Sequence, residues 1–296
     1  MAVTVRQWLE TASRRLHEAG VDSATLDAKV LLCHALGKEP HFPFLCPDYI
    51  VEAQAAEILD SWVQRRAKKE PIAYIIGKKE FWSLDFIVTC DTLIPRPDSE
   101  TIVQALLDTT SAIAIQHHSK AEEMELEIAD IGTGTGCLLI SALKTLLRAK
   151  GTAIDIKSEA LEIARRNSEL HGTCSRMEFI ESNWLEKIDR KFDIIVSNPP
   201  YIALNEFAGL MEDVKQYEPA SALVSGQDGM DSYRMIATQA KTRLKENGYV
   251  ILETGSTQTS SVAGIFMQQG FEILEIRRDM AGLERCVIAR TNNDFI

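Results

Sequence analysis

The tetrapeptide N-P-P-Y at residues 198–201 follows an apolar run and could hold a nitrogen that carries two hydrogens. Each proline removes a backbone donor and forces the preceding residue into extended geometry, so the strand cannot continue past Ser197. The Asn198 side chain and the Pro199 main chain then offer two oxygen acceptors without ladder partners. An unpaired acceptor in a dry pocket costs about 1–3 kcal/mol. The pattern predicts a site that selects and orients an –NH₂ group rather than one that uses a strong base.

A glycine-rich stretch, D-I-G-T-G-T-G, stands where the first predicted core strand turns into a helix. Glycine accepts positive φ and lets a ligand approach the backbone. The nicotinamide fingerprint G-x-G-x-x-G would need its third glycine at Cys137, so the spacing fits that cofactor poorly. The other interpretation is a tight turn without a ligand. The stretch resembles motif I of S-adenosylmethionine-dependent methyltransferases, which makes the following residues candidates for cofactor binding: Asp130, Gly132, Thr133, Gly134, Thr135 and Gly136.

Two further strand ends carry candidate cofactor ligands. Asp155 ends the second predicted strand, where an acid can accept hydrogen bonds from both ribose hydroxyls. The alternative role for Asp155 is to cap the helix that starts near Ser158. Asn183 and Trp184 follow the third strand, where an adenine would lie, although Trp184 could equally be a core residue.

Strands alternate with helices from residue 126 onward. We predict strands at 126–131, 152–156, 176–181, 192–197, 247–254, 271–277 and 284–290, and helices at 137–149, 158–171, 229–246 and 257–269. This alternation is typical of an α/β fold with a doubly wound, seven-stranded, Rossmann-like sheet. Ligands bind such sheets beyond the carboxyl ends of the strands, where the strand order reverses.

The first 94 residues have a different pattern. Residues 4–37 read as two amphipathic helices, the first with a capping box from Thr4 and Gln7, and a third helix covers about 50–69. Residues 71–94 are aromatic and β-branched, with Gly77 as a turn signal, and predict a β-hairpin. The predicted organisation is therefore a helical domain at 1–70, a hairpin linker at 71–94 and the sheet domain at 95–296.

Charge and composition exclude several classes of protein. The net charge is −11, with 11 Lys and Arg against 12 Asp and Glu in residues 1–90 and 21 against 31 in the rest. An acidic sheet domain argues against a nucleic-acid substrate. The six scattered cysteines predict free thiols in a reducing cytoplasm, and no spacing suggests a metal. We expect no membrane segment, no signal peptide and a monomer. One basic cluster reads as the solvated end of a helix or as a surface for RNA or an acidic protein: Arg65, Arg66, Lys68, Lys69, Lys78 and Lys79.

The sequence resembles the release-factor glutamine methyltransferase family (PrmC/HemK) over essentially its whole length. The stretches that carry the resemblance are PIAYIIGKKEFWSLDF, LIPRPDSE, DIGTGTG, AIDIKSEAL, SNPPYI, YEPASALVSGQDGMDSYR and RDMAGLERCVIAR. The resemblance implies methyl transfer from S-adenosylmethionine to the side-chain amide of the glutamine in the Gly-Gly-Gln motif of class I peptide-chain release factors, in translation termination. It also implies that the N-terminal helical domain recognises the substrate. The alternative is methylation of an exocyclic amine on a nucleic-acid base, because such enzymes share N-P-P-Y.

The resemblance also assigns roles to single residues. Asn198, Pro199, Pro200 and Tyr201 would bind and position the glutamine, with Phe81 as a wall of its pocket. The glycine loop, Asp155, Trp184 and Asn198 would bind the cofactor. Relatives often carry Asp at the position of Asn183, so this chain departs from the family pattern there. Arg96 and Glu100 would brace the domain junction.

Overall fold

The computed structural model describes residues 3–291. The chain divides into two compact units. We call Met1–Lys78 with Met211–Tyr217 the N-terminal unit, and Lys79–Leu210 with Glu218–Ile296 the sheet unit.

The N-terminal unit is helical. Its helices are α1 (Val5–Glu18), α2 (Ala24–Leu36), α3 (Phe42–Leu45), α4 (Ala53–Ala67) and α5 (Ile72–Ile76), and β1 (Val3–Thr4) pairs with β2 (Ile50–Val51). The predicted capping box is present, because Gln7 N donates to Thr4 Oγ1 at 3.3 Å and Thr4 N donates to Gln7 Oε1 at 3.1 Å. These two bonds satisfy donors that the first turn of α1 would otherwise leave unpaired. The helices enclose one apolar core that includes Leu16, Leu31 and Leu59.

The hairpin is shorter than predicted, and Gly77 is not its turn. Pro71 precedes α5, and Gly77 ends that helix in the left-handed region with φ 75°. The strands are β3 (Lys78–Phe81) and β4 (Leu84–Ile87). The turn residues Trp82 and Ser83 both have positive φ, at 54° and 57°, as a two-residue type I′ turn requires. Proline before a helix and glycine after it are ordinary helix boundaries, and Pro71 and Gly77 bound α5 in this way.

The sheet unit contains a seven-stranded sheet within the described residues, in the order β10-β11-β9-β8-β5-β6-β7. The strands are β5 (Glu127–Ile131), β6 (Lys150–Asp155), β7 (Met177–Glu181), β8 (Phe192–Ser197), β9 (Leu244–Glu253), β10 (Phe271–Arg278) and β11 (Glu284–Thr291). Strands β5 to β9 pair in parallel, and β11 is antiparallel to both β9 and β10. The predicted α/β class and all seven predicted strands are confirmed.

Helices cover both faces of this sheet. They are α6 (Glu100–Gln116), α7 (Cys137–Thr145), α8 (Ser158–Leu170), α10 (Asp231–Arg243) and α11 (Thr259–Gln268), while α9 (Glu212–Tyr217) belongs to the N-terminal unit. Alternate residues of β5 and β8 enter opposite cores: Ile128 and Ile194 pack on one face, Ala129 and Ile195 on the other. The chain runs outward from β5 to β7 and then returns to the other side of β5 as β8. The strand order therefore reverses between β5 and β8, where this fold binds its ligands.

Three cations of the basic cluster are paired inside the N-terminal unit. Arg65 forms a bidentate pair with Glu70 at 2.8 and 2.5 Å, and Arg66 pairs with the buried Asp27 at 2.7 Å. Lys69 donates to the Gly20 carbonyl. Because these cations already have partners, they make a poor phosphate-binding surface.

None of the helices in residues 3–291 has the length and apolar character that crossing a membrane requires. No group of three His, Cys, Asp or Glu side chains in that range is placed to hold a metal ion.

Candidate active site

The glycine loop crosses the end of β5 at the point where the strand order reverses. Gly132 N and Thr133 N both donate to the Ile154 carbonyl, at 2.8 and 3.0 Å, so the loop is tied to β6. Asn167, fully buried on α8, donates to the Thr135 carbonyl at 2.9 Å. The same Asn167 also bonds both backbone groups of Ile87 in the hairpin. The loop is therefore fixed in place before any ligand binds.

The three glycines of the loop have different neighbours. All three have positive φ: 70° at Gly132, 53° at Gly134 and 78° at Gly136. A Cβ atom added at Gly132 or Gly134 would meet nothing within 4 Å. At Gly136 it would lie 2.9 Å from Ile140 Cδ1 and 3.3 Å from Ala164 Cβ. The first two glycines thus face open space, whereas the third allows α7 to pack closely on α8.

A cavity of about 230 Å³ opens beside the loop, entirely within the sheet unit. We call it the edge cavity. The predicted site residues that line it are Gly132, Thr133, Gly134, Thr135, Asp155, Asn183, Trp184, Asn198 and Pro200. The structure therefore brings together candidates from the ends of β5, β6, β7 and β8. Five predicted residues do not line it: Asp130, Gly136, Pro199, Tyr201 and Phe81.

Asp155 connects the end of β6 to the glycine loop. Its Oδ2 atom accepts from Gly134 N at 3.0 Å, and its Oδ1 atom accepts from Lys157 N at 3.0 Å. Burial raises the pKa of Asp155, although these backbone hydrogen bonds lower it. Each carboxylate oxygen can accept a second hydrogen bond, so Asp155 can both cap the turn and receive ribose hydroxyls.

Asn183 and Trp184 lie at the far wall of the cavity. The exposed Asn183 amide donates to Glu186 Oε1 at 2.7 Å, which commits its nitrogen to a local contact. Trp184 has φ 54° and packs partly against one of the two sheet cores. Trp184 is thus both a cavity wall and a core residue.

Asp130 lies under the glycine loop and is fully buried. Thr133 Oγ1 donates to Asp130 Oδ2 at 2.7 Å, and Asp130 Oδ1 has no partner among the described residues. Burial raises the pKa of Asp130 to about 7, against the effect of the Thr133 hydrogen bond. A buried unpaired carboxylate oxygen is rare and indicates a ligand, a water or a strained state.

Asn198 follows β8 directly and projects toward the cavity. Its amide nitrogen donates to Ser99 Oγ at 3.1 Å, so its Oδ1 atom points elsewhere. Among the described residues, no hydrogen-bond donor contacts Asn198 Oδ1 or the Pro199 carbonyl oxygen. Asn198 lines the cavity, so its Oδ1 atom remains available there, whereas the buried Pro199 does not line the cavity. The role of Pro199 stays a prediction.

Tyr201 is packed beside the site rather than in the cavity. Its ring lies against the core that also contains Tyr233, and its carbonyl accepts from Gln258 Nε2 at 2.8 Å. Burial raises the pKa of Tyr201 above its usual value. The phenol is therefore neutral at physiological pH and is not a base.

Phe81, Glu100 and Arg96 make contacts outside the edge cavity or beside it. Phe81 does not line the cavity, because it is 1% exposed and packs in a sheet core, edge-on against Phe86 with 6.2 Å between the ring centroids. Glu100 accepts from Trp82 N at 2.9 Å and so holds the hairpin turn against α6. Arg96 pairs with the buried Glu218 at 2.5 Å. Both bracing contacts lie inside the sheet unit.

Two polar residues behind Asn198 were missed in the sequence. Ser99 and Glu253 are 2% and 1% exposed, and the nearby Ser99 hydroxyl lowers the pKa of the Glu253 carboxyl group, against the larger opposite effect of burial. Glu253 is the last residue of β9, next to β8. The strand-end rule that singled out Asp155 applies equally to Glu253 and could have found it.

These residues fit a nucleoside cofactor with a small cationic or polar tail. Gly132 and Gly134 leave the space that a side chain would fill, and Asp155 retains acceptor capacity for hydroxyl groups. The Trp184 ring offers an apolar surface at the position expected for a base. The loop lacks the dinucleotide spacing that would favour a pyrophosphate.

Sheet order and glycine loop define the class of protein. A family profile described as Methyltransferase small domain matches residues 101–213, and one described as PrmC N-terminal domain matches residues 7–77. A solved structure of the hMettl16 catalytic domain in complex with the MAT2A 3′UTR hairpin 6 is similar in fold. It has a TM-score of 0.54 at 14% identity and covers 90% of this chain and 94% of its own. The sheet unit is a Rossmann-like methyltransferase domain.

Full-length relatives narrow the class to a family. The release factor glutamine methyltransferase of Agrobacterium fabrum is 39% identical over 97% of this chain and 97% of its own length. The bifunctional methyltransferase of Rickettsia bellii is 36% identical over 97% of this chain, which spans only 55% of that longer relative. The chain belongs to the release factor glutamine methyltransferase family.

Proposed function

We propose that the protein transfers a methyl group from S-adenosylmethionine to the side-chain amide nitrogen of the glutamine in the Gly-Gly-Gln motif of class I release factors. The observation that carries the proposal is the position of Asn198. This residue lies at the wall of the edge cavity, one strand away from the glycine loop, and its side-chain oxygen meets no hydrogen-bond donor within residues 3–291. Family membership supports the same substrate class.

We assign the cofactor to the glycine-loop side of the cavity. The backbone of Gly132 and Gly134 would lie against it, Asp155 would accept its ribose hydroxyls, and Trp184 would contact its base. When bound, S-adenosylmethionine supplies a sulfonium methyl group for transfer. Burial and backbone hydrogen bonds already hold Asp155 in place, so little side-chain freedom is lost on binding.

Asn198 and Pro199 would hold the substrate amide. The lone pair of an amide nitrogen is delocalised, so the nitrogen reacts only when it is held in line with the methyl group. Asn198 Oδ1 and the Pro199 carbonyl would accept its two hydrogens and fix the plane of the amide. The amide nitrogen would gain the methyl group and lose one proton to solvent, while the cofactor would leave as the neutral thioether. The neutral Tyr201 phenol would not be needed as a base. Rate then comes from orientation and fixed dipoles.

We also propose that the domains divide the work as the sequence predicts. Residues 1–70 would recognise the release factor, and residues 95–296 would catalyse methyl transfer. Residues 71–94 would connect these two domains. The PrmC N-terminal domain match supports a family-specific role for the helices. Exposed apolar residues support it too, because Phe44 and Leu45 are 85% and 64% exposed on α3.

The deciding experiment maps the methyl group. The full chain is incubated with a release factor, RNA in competition and isotope-labelled S-adenosylmethionine, and peptides and nucleosides are analysed by mass spectrometry. We expect label on the Gly-Gly-Gln glutamine and none on a release factor that carries Glu at that position. Asn198→Ala should abolish turnover without changing the thermal unfolding curve. Label on RNA but not on the peptide would replace this proposal with base methylation.

A further inference from the structure

We infer that Ser99 and Glu253 are positioning residues that keep the Asn198 side-chain amide in one orientation, with its oxygen held as the acceptor for the substrate. The inference deepens the proposed function and rests on it for its kinetic test. It assigns work to two buried polar residues that the chemistry described above leaves unused.

The three residues meet because neighbouring elements end together. Strands β8 and β9 are parallel, and Ser197 is paired with Leu252. The next residues along each strand, Asn198 and Glu253, therefore lie side by side at the carboxyl edge of the sheet. Ser99 precedes α6, and its oxygen accepts from Asn198 Nδ2 at 3.1 Å. We infer that its hydroxyl hydrogen is directed at the neighbouring Glu253 carboxyl group, whose pKa Ser99 lowers.

The carboxylate of Glu253 determines which atoms donate and which accept among Glu253, Ser99 and Asn198. An ionised Glu253 can only accept, so the single Ser99 hydrogen points to it. Toward Asn198 the Ser99 oxygen can then only accept, which requires the Asn198 nitrogen to face it. Asn198 Oδ1 is consequently turned away from Ser99. Because the two ends of an amide group differ little in shape, this polarity is what distinguishes them.

Purely structural roles do not account for either residue. Ser99 occupies the N-cap position of α6, yet its side chain makes no capping hydrogen bond. Arg285 is the nearby buried cation, but its ion pairs are with Asp279 at 3.3 Å and Asp98 at 3.1 Å. Glu253 is left with one carboxylate oxygen, Oε2, that has no partner among the described residues. Burying a carboxyl group that is so poorly satisfied destabilises a fold, so a functional reason is required.

Protonation of Glu253 would remove the constraint. A carboxylic acid can donate to Ser99, which frees the Ser99 hydrogen to point at Asn198 Oδ1. Burial raises the pKa of Glu253 to about 7. The titratable and charged groups that act on Glu253, from every element around it, are Arg96, Asp98, Cys137, Tyr201, Tyr233, Arg285 and Cys286.

The test compares four variants of the full chain. Ser99→Ala removes the hydroxyl that contacts Asn198, and Ser99→Thr keeps it. Glu253→Gln replaces the carboxylate with an amide that can donate to Ser99, so that the Ser99 hydrogen can point at Asn198 instead. Thr110→Val is the matched control, because Thr110 carries a fully buried hydroxyl on α6 whose oxygen has no partner in the described part of the chain. Turnover of the release factor and the affinity for S-adenosylhomocysteine are measured for each variant. Side-chain amide resonances of Asn198 are recorded in ¹⁵N-asparagine-labelled protein.

We expect kcat to fall at least tenfold in Ser99→Ala and Glu253→Gln, with the cofactor-product affinity unchanged within about twofold. Ser99→Thr should retain turnover within about threefold, and the wild-type kcat should fall as the pH drops below about 7. The Asn198 amide protons should exchange slowly in wild type and Ser99→Thr, and rapidly in Ser99→Ala. Equal losses in Ser99→Ala and Thr110→Val, or Asn198 resonances unaffected by Ser99→Ala, would overturn the inference. Wild-type protein that leaves the glutamine unmethylated would refute the proposed function, while the resonances would still decide the role of Ser99.

Discussion

Asp155 Oδ2 accepts a hydrogen bond from Gly134 N at 3.0 Å, which joins the end of β6 to the middle of the glycine loop. Asp155 is not the N-cap of α8, because that position is Lys157 and has no side-chain capping bond. It stabilises the turn, through Gly134 and Lys157, and it lines the edge cavity with acceptor capacity to spare.

Replacing Asp155 should separate these two roles. Asp155→Ala removes both ribose acceptors and the bond to Gly134, so we expect the dissociation constant for S-adenosylhomocysteine to rise about 10–100-fold. The free energy of unfolding should fall by about 1–2 kcal/mol, because two backbone donors lose their partner. Calorimetric titration and urea unfolding measure the two effects. Asp189→Ala, at an exposed position of the same unit, should change neither value. Normal affinity in Asp155→Ala would contradict the ribose assignment.

The glycine loop allows a paired test of folding against binding. Gly136→Ala combines a φ of 78° with a Cβ 2.9 Å from Ile140 Cδ1, and we expect it to lower the free energy of unfolding by about 2–4 kcal/mol. Gly132→Ala adds a methyl group in open space at φ 70°, so it should cost only about 1–2 kcal/mol. Its main effect should be at least a tenfold loss of cofactor affinity, since the methyl group occupies the cavity. Equal stability losses in the two variants would show that their surroundings do not differ as described.

Local patterns in the sequence predicted most of the sheet unit. Strand β8 is a short apolar run. The glycine loop and the N-P-P-Y edge both mark strand ends, so their common position follows from the fold class. The hairpin turn was misplaced because Trp82 and Ser83 carry no turn signature. Glu80 and Glu100 hold that turn through its backbone donors. Turn propensities of neighbouring residues do not reveal that these glutamate side chains stabilise the turn.

The Ser99–Glu253 contact was beyond reach for a related reason. The two residues lie far apart in the chain, and only the order of the strands brings β9 next to β8. Phe81 is a second residue whose surroundings the sequence does not reveal. It packs against Phe86 of the neighbouring hairpin strand in a sheet core and does not line the edge cavity, so its contact with the glutamine stays a prediction. Burial of a particular face depends on what packs against it, which a single sequence does not contain.

Asp130 should make stability depend on pH. The folded protein holds the Asp130 proton up to a pKa of about 7, whereas the unfolded chain releases it near the ordinary aspartate pKa of about 3.9. Between these values the folded state binds more protons, so the free energy of unfolding falls as the pH rises from about 4 to about 7. A shift of this size corresponds to roughly 4 kcal/mol.

The variant Asp130→Asn lacks this titration. Relative to wild type, its free energy of unfolding should therefore increase between pH 4.5 and pH 8, with most of the change complete by about pH 7. Urea unfolding at several pH values checks the expectation, with Asp189→Asn as the exposed control. A constant difference between Asp130→Asn and wild type across this range would mean that Asp130 titrates normally in the folded state.

Recognition of the release factor can be tested on α3 of the N-terminal unit. The Phe42 ring packs edge-on against Tyr49, with 5.3 Å between the ring centroids, and fixes this short helix. Phe44 and Leu45 are 85% and 64% exposed. If these two side chains bind the substrate protein, their replacement by Ser should raise KM for an intact release factor about tenfold or more. Methylation of a short Gly-Gly-Gln peptide should keep its kcat/KM, because the peptide lacks the remaining release-factor surface that α3 would bind. Leu170→Ser, at a 58% exposed position on α8, is the matched control and should alter neither substrate. An equal loss with protein and peptide would assign α3 to stability rather than to recognition.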